Sequence, residues 1–173
     1  LYAVYCVRAV SFYHIISGRI FPSFFPPVEK IAEFTAMLYT ALEQKNALPQ
    51  ASEGVEEPVF ADVENTWAVD YIHQAARLGL VAGTDENTFA PDRPITRQEM
   101  MTIIGRCLDL PDENGLGFAD DGDIAFWALE AAARTSAAGL FQGGSGNALM
   151  PLATSTRAEA ATVLSRVVET LEQ

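Results

Sequence analysis

Two arginines, Arg97 and Arg157, each follow a threonine at the predicted start of a helix. The helix macrodipole makes this position positive, so a cation is mildly unfavourable there and helix capping does not require one. A guanidinium beside the free amides of a helix start is, however, well suited to bind a carboxylate or a phosphate. We therefore predict an anion-binding site at each arginine. The alternative is a structural salt bridge, for example to Asp62 or Asp120.

The residues around these arginines have the spacing of two capping boxes. Thr96 precedes Glu99 by three positions, and Thr156 precedes Glu159 in the same way. In such a box the threonine hydroxyl accepts from the glutamate amide, and the glutamate carboxylate accepts from the threonine amide. We interpret these four residues as structural caps.

The only two tryptophans, Trp67 and Trp127, both precede a predicted helix. Each indole either packs in the core or forms a partly exposed platform for a sugar ring. Gly83 and Gly143 indicate positive φ or a close approach of the backbone. The candidate ligand-binding residues are therefore Trp67, Gly83, Arg97, Trp127, Gly143, Arg157, Asp62 and Asp120.

Composition argues against several classes of function. The net charge of −12 opposes binding to nucleic acid, because phosphates need a basic surface. Neither His14 and His73 nor Cys6 and Cys107 form a metal motif or a catalytic set. The cluster Asp85-Glu86-Asn87 could suggest calcium, but it lacks the EF-hand pattern and is interpreted as a solvated turn. We therefore expect no cofactor, no metal and no enzyme activity, and a free buried thiol at Cys107.

The first 21 residues are apolar but interrupted by Arg8, His14 and Arg19. A membrane span needs about 20 largely uninterrupted apolar residues, and the segment also fits a signal peptide poorly. We expect no membrane span here, and any export signal would lie upstream of Leu1.

The chain repeats itself at an interval of about 60 residues. The predicted copies are residues 60–110 and 118–173, separated by a linker at 111–117. A weaker first copy at 1–45 precedes a linker at 46–59. That copy has Lys30-Ile31-Ala32-Glu33 in place of the Thr-Arg-x-Glu sequence, so it lacks both the threonine cap and the arginine.

Each copy has the pattern of two helices joined by a loop rich in Gly, Asp and Pro. The second helix of each copy has one apolar face, which cannot stay exposed, so the copies are expected to pack on one another. The fold class is mainly α. The three faces consist of Phe34, Met37, Leu38, Ala41 and Leu42; of Met100, Ile103, Ile104, Cys107 and Leu108; and of Ala160, Val163, Leu164, Val167 and Val168.

These motifs resemble those of the S-layer homology family. Its pattern runs Phe-x-Asp, Trp-Ala, Gly-(Ile/Val/Leu)-x-x-Gly, Phe-x-Pro and Ile-Thr-Arg-Ala-Glu. The second copy shows Phe60-Ala61-Asp62, Trp67-Ala68, Gly79-Leu80-Val81-Ala82-Gly83, Phe89-Ala90-Pro91 and Ile95-Thr96-Arg97-Gln98-Glu99. The third shows Phe118-Ala119-Asp120, Trp127-Ala128, Gly139-Leu140-Phe141-Gln142-Gly143 and Thr156-Arg157-Ala158-Glu159. It departs from the pattern at Leu149-Met150-Pro151 and at Ser155.

The resemblance implies three repeats in a pseudo-threefold helical bundle with grooves between them. It also implies that the grooves bind a secondary cell-wall polysaccharide, such as a pyruvylated one, whose acidic group would meet the arginine. The expected protein is a non-catalytic anchor at the bacterial cell surface, with a cargo domain attached outside this chain. The alternative is a degenerate scaffold that packs against another domain or protein and binds no sugar.

Overall fold

The computed structural model describes residues 29–51, 58–113 and 115–172. These ranges contain five α-helices and no strand, which confirms the mainly α class. Predictions made for residues 1–28, including those on Cys6 and His14, lie outside the described residues. The helices are α1 (Ile31–Gln44), α2 (Val69–Arg77), α3 (Arg97–Cys107), α4 (Leu129–Ala137) and α5 (Arg157–Leu171).

The helix boundaries follow from local chemistry. Helices α3 and α5 both begin with a capping box, in which the amides of Thr96 and Thr156 each donate to a glutamate carboxylate over 2.8 Å. Helices α2 and α4 are followed by Gly79 and Gly139, whose φ angles of 72° and 73° place them in the left-handed region. Helix α1 begins after Lys30, which makes no side-chain cap.

One hydrophobic core joins the apolar faces of α1, α3 and α5. Phe34, Met100 and Leu164 are completely buried in it. Cys107 lies at its edge and is a free, half-buried thiol that donates to the carbonyl of Ile103 over 3.0 Å. Burial raises the pKa of this thiol to about 12, so it stays protonated at neutral pH.

The main helix contacts join neighbouring copies. Helix α1 packs on α2 and on α5, and α3 packs on α4. The α3–α4 contact is close, because a Cβ added at Gly105 would lie 3.0 Å from the Cβ of Ala131. The first helix of one copy therefore covers the second helix of the copy before it.

Three residues, each two positions before a helix, form a closed ring of backbone hydrogen bonds. Glu29 N–H donates to Ser155 O (2.8 Å), Ser155 N–H to Ile95 O (2.9 Å) and Ile95 N–H to Glu29 O (3.1 Å). The starts of α1, α3 and α5 are thus related by an approximate threefold arrangement, in agreement with the expected bundle. The residue ranges assigned to the repeats stay a prediction.

Within the described ranges, no helix combines the length and the apolar character that crossing a membrane requires.

Candidate functional site

The starts of α1 and α3 are inserted into the loop of the next copy. The amides of Ile31 and Arg97 donate to the carbonyls of Arg93 and Ala153, each over 3.0 Å. The amides that follow, of Ala32 and Gln98, donate to the prolines of the same loops, Pro91 (3.2 Å) and Pro151 (3.0 Å). These amides hold the copies together, so they are not free to bind an anion.

The guanidinium of Arg97 reaches across the same junction. Its Nε donates to Leu149 O (2.8 Å) and its Nη2 to Gln142 O (3.1 Å). The group also lies 5.4 Å from the centre of the Phe141 ring and 3.9 Å from the carboxylate of Glu159. Only 13% of the side chain is exposed, so most of its donors face protein.

Arg157 makes the corresponding contacts with the first copy. Its Nη2 lies 3.1 Å from Glu33 and its Nε lies 3.5 Å from Glu29, a residue that is completely buried. The carboxylates nearest to both arginines therefore belong to these glutamates and to Glu159, and not to the aspartates named from the sequence.

Asp62 and Asp120 instead hold the loops in shape. The two carboxylate oxygens of Asp62 accept from the amides of Phe89 (2.9 Å) and Ala90 (2.7 Å). Those of Asp120 accept from the amides of Leu149 and Met150, each over 2.7 Å. The second residue of each pair has positive φ, 60° at Ala90 and 55° at Met150. A side chain is strained in this region, and the paired hydrogen bonds stabilise it.

These hydrogen bonds also lower the pKa of both aspartates. At Asp120 the amide of Leu149 is the largest cause. At Asp62 desolvation acts in the opposite direction, but the amides of Phe89 and Ala90 outweigh it. Both carboxylates are therefore ionised in the folded protein at neutral pH, and they contribute stability that is lost only in acid.

Gly83 and Gly143 are sites of close approach, and neither has positive φ. A Cβ at Gly83 would lie 2.5 Å from the carbonyl oxygens of Asp85 and Thr88. At Gly143 it would lie 2.9 Å from Asn147 Oδ1 and 3.1 Å from the ring of Phe118. Of the two roles expected for these glycines, positive φ and a close approach of the backbone, the structure shows the close approach.

Both tryptophans lie at the surface, with 53% of Trp67 and 55% of Trp127 exposed. Trp67 lines a cavity of about 330 Å³ between the start of α1 and the second copy. We call this cavity the first groove. It is lined by Lys30, Ala32, Glu33, Asp62, Asn65, Thr66, Trp67, Pro91 and Asp92.

Of the polar residues in the first groove, the sequence analysis named Asp62 as a ligand-binding candidate but missed Lys30, Asn65, Thr66 and Asp92. Lys30 Nζ contacts Asp92 Oδ1 at 2.6 Å, with Asn65 and Thr66 in the same lining. The sequence did contain a signal for Lys30. This residue occupies the repeat position of the capping threonines, and a lysine side chain cannot cap a helix start, so a different role could have been inferred. Its partner is 62 residues away in the chain, so the pairing itself was not predictable.

The surroundings of Trp127 are more apolar. Gln98 joins the segment before Trp127 to the loop that contains Pro151. Its side-chain oxygen accepts from Ala125 N–H (3.0 Å), and its backbone N–H donates to Pro151 O. The residues that follow these two contacts, Phe126 and Leu152, are 90% and 60% exposed. The positions that are polar in the first groove, Thr66 and Asp92, therefore correspond to apolar side chains here.

Arg93 takes the place of the arginine that is absent from the first copy. Arg97 and Arg157 each approach the glutamate three residues into the helix start of the next copy. In α1 the equivalent residue is Ile31, which cannot pair with Glu99, the corresponding glutamate of α3. Arg93 binds Glu99 instead, at 2.8 Å. The pKa of Glu99 is lowered, because the contacts with Arg93 and Thr96 outweigh the effect of desolvation.

This substitution makes a testable prediction about Ile31. Ile31→Arg alone should lower the free energy of unfolding by about 2 kcal/mol, because it buries a second cation beside Arg93. Arg93→Ala alone should cost about 1 kcal/mol, because Glu99 would lose its arginine partner and keep only its hydrogen bonds with Thr96. The double variant should lose less stability than the two single variants lose together. We expect the difference to be about 1 kcal/mol or more, because the new guanidinium then pairs with Glu99. Urea unfolding of the four proteins gives this coupling energy, and strictly additive losses would contradict it.

Comparison with known proteins agrees with these motifs. The family model described as the S-layer homology domain matches residues 59–101. The chain is 30% identical over 171 residues to an exoglucanase, XynX, of Acetivibrio thermocellus, and it is 32% identical over 132 residues to a surface-layer 125 kDa protein of Lysinibacillus sphaericus. These alignments cover 94% and 73% of the chain, but 15% and 11% of the relatives.

A cellulosome-anchoring protein of Acetivibrio thermocellus is 27% identical over 132 residues, which cover 75% of the chain and 29% of that protein. The chain thus spans less than a third of each of these three relatives. Their alignments extend well beyond the segment that the family model matches. Residues 59–101 are thus identified as an S-layer homology domain, and the wider alignments show that the chain is similar to a surface-layer protein and to a cellulosome-anchoring protein.

Proposed function

We propose that this chain is a non-catalytic anchoring module that binds a secondary cell-wall polysaccharide in grooves between its repeats. The observation that carries the proposal is Trp67, a half-exposed indole in a groove whose other lining residues are mostly polar. A sugar ring presents an apolar face for stacking and hydroxyls for hydrogen bonds, and this combination suits such a groove. The names of the relatives, a surface-layer protein and a cellulosome-anchoring protein, support the same function.

The anchor would act at the bacterial cell surface, outside the cell, and would hold other domains there. Support comes from the length of the relatives, of which the chain spans 11% to 29% in the three alignments above. One of them is named as an exoglucanase. We therefore propose that a cargo domain is attached outside this chain and that any catalytic activity belongs to it.

An acidic sugar substituent, such as a pyruvyl group, would need a cation in the groove. Arg97 and Arg157 are the candidates from the sequence, but their side chains are only 13% and 18% exposed and already contact protein groups. To bind a ligand, Arg97 would have to give up carbonyls of the third copy. The support for the polysaccharide therefore comes from Trp67 more than from the arginines.

A second candidate function is a scaffold that binds a protein or a neighbouring domain. The observation that favours it is the exposed apolar group of Phe126, Trp127, Met150 and Leu152. Apolar groups of this kind at a surface are typical of interaction sites.

Trp67→Ala separates the two candidates. If a sugar stacks on Trp67, the variant should bind purified wall polysaccharide about three- to tenfold more weakly, since an aromatic contact contributes roughly 0.5–1.5 kcal/mol. Its melting temperature should stay close to that of the unaltered chain, because the indole is half exposed. Phe126→Ala is the control for loss of an exposed aromatic side chain. Equal binding by Trp67→Ala and the unaltered chain would reject the first groove as the sugar site.

A further inference from the structure

Each charged side chain that lines the first groove already has a partner within the protein. One cation, Lys30, stands against the three carboxylates of Glu33, Asp62 and Asp92. Lys30 pairs with Asp92 at 2.6 Å, and Glu33 pairs with Arg157 at 3.1 Å. Asp62 accepts the two loop amides of Phe89 and Ala90. Lys30 is the one cation among the described residues that line this groove, and it already has a carboxylate partner.

An anionic ligand would therefore enter an unfavourable field. It would have to displace Asp92 from Lys30, and three carboxylates would remain in the lining. The chain as a whole carries −12, so long-range attraction does not assist an anion. The electrostatics of the first groove consequently oppose an acidic sugar.

The same groups suit an uncharged sugar. A hydroxyl both donates and accepts hydrogen bonds, and two neighbouring hydroxyls match an ammonium and a carboxylate that lie side by side. The pair is accessible, since 37% of the Lys30 side chain and 87% of the Asp92 side chain are exposed. Trp67 lies in the same lining and offers an apolar face, and a cavity of about 330 Å³ is at the small end of ligand pockets.

We propose that the first groove binds an uncharged, hydroxyl-rich sugar residue, with Lys30 and Asp92 bonding neighbouring hydroxyls and Trp67 stacking on the ring. The proposal rests on the proposed function, because it names the class of sugar within the wall polysaccharide. It also gives the first copy, which lacks the arginine, a binding role of its own.

The experiment compares Lys30→Ala with the unaltered chain on two ligands. One is purified wall polysaccharide, and the other is the same material after its carboxyl groups have been activated with carbodiimide and reduced to alcohols with borohydride. Lys30→Ala should weaken binding about tenfold on both ligands, as expected for loss of a charged hydrogen-bond donor. Asp92→Asn should weaken binding on both as well, because its amide no longer matches Lys30.

Lys45→Ala is the matched control. Lys45 follows the other end of α1, is 33% exposed and pairs with Glu172. It should bind both ligands like the unaltered chain. Melting temperatures of all variants show whether any loss of binding reflects unfolding.

Two results would overturn the proposal. A Lys30→Ala loss that disappears on the reduced ligand would show that Lys30 binds an acidic group. The absence of a loss on either ligand would remove Lys30 from the site. If the unaltered chain bound neither ligand, the proposed function would itself be wrong, and this proposal with it.

Discussion

Arg97→Ala is expected to lower the free energy of unfolding by about 2–4 kcal/mol. The guanidinium donates to carbonyls at two points of the third copy, Leu149 and Gln142, and stacks on Phe141. Alanine would leave the partly buried carbonyl of Leu149 and the exposed carbonyl of Gln142 without this donor, and it would open space over the ring. The capping box of Thr96 and Glu99 cannot compensate, because it acts within α3 and not across the junction.

Urea unfolding should measure this loss directly, and two variants make the result specific. Arg97→Lys should recover little of the stability, since one ammonium cannot reproduce the planar fork that reaches both carbonyls. Arg106→Ala removes an exposed arginine from the last turn of the same helix and should cost less than about 0.5 kcal/mol. A stable Arg97→Ala protein that binds wall polysaccharide tenfold more weakly would instead identify Arg97 as a ligand residue.

Gly83→Ala should be at least as damaging, at about 3 kcal/mol or more. The new methyl group would lie 2.5 Å from the backbone oxygens of Asp85 and Thr88, and 2.7 Å from the ring of Phe60. Two of these neighbours are main-chain atoms of a tight turn, so relief requires movement of the loop that carries Phe89. That loop is also the one held by Asp62.

Two other glycines calibrate the Gly83 measurement. Gly79→Ala tests positive φ alone, because its φ is 72° and the space around it is open. It should cost about 1–2 kcal/mol. Gly143→Ala meets a flexible side-chain oxygen of Asn147 at 2.9 Å and should fall between the two. Equal melting temperatures for the Gly83 and Gly79 variants would contradict the steric explanation.

The features that could be predicted from the sequence are those that depend on residues close together in the chain. The faces of α1, α3 and α5 are recognisable because apolar residues recur every three or four positions, and burial of Phe34, Met100 and Leu164 follows from that pattern. Capping boxes and helix-ending glycines are likewise local, and the structure has them at Thr96, at Thr156 and at Gly79.

Contacts across the junctions were not predictable in the same way. Arg97 meets carbonyls 45 and 52 residues away, and any residue can supply a carbonyl. The left-handed conformation of Ala90 and Met150 had no glycine to signal it, since the carboxylates of Asp62 and Asp120 stabilise it from 28 and 30 residues away. The exposure of Trp67 depends on what packs beside it, so the sequence left both of its roles open.

The closed ring of Glu29, Ile95 and Ser155 has a mechanical consequence for an anchor. In an open stack of repeats, a terminal unit can be peeled away by breaking one junction. In a closed ring each unit shares two junctions, so pulling on one end of the chain must break two sets of contacts before any unit separates. If the chain anchors a cargo domain as we propose, we expect the closed ring to resist pulling as a single body, because two junctions must fail before any unit separates.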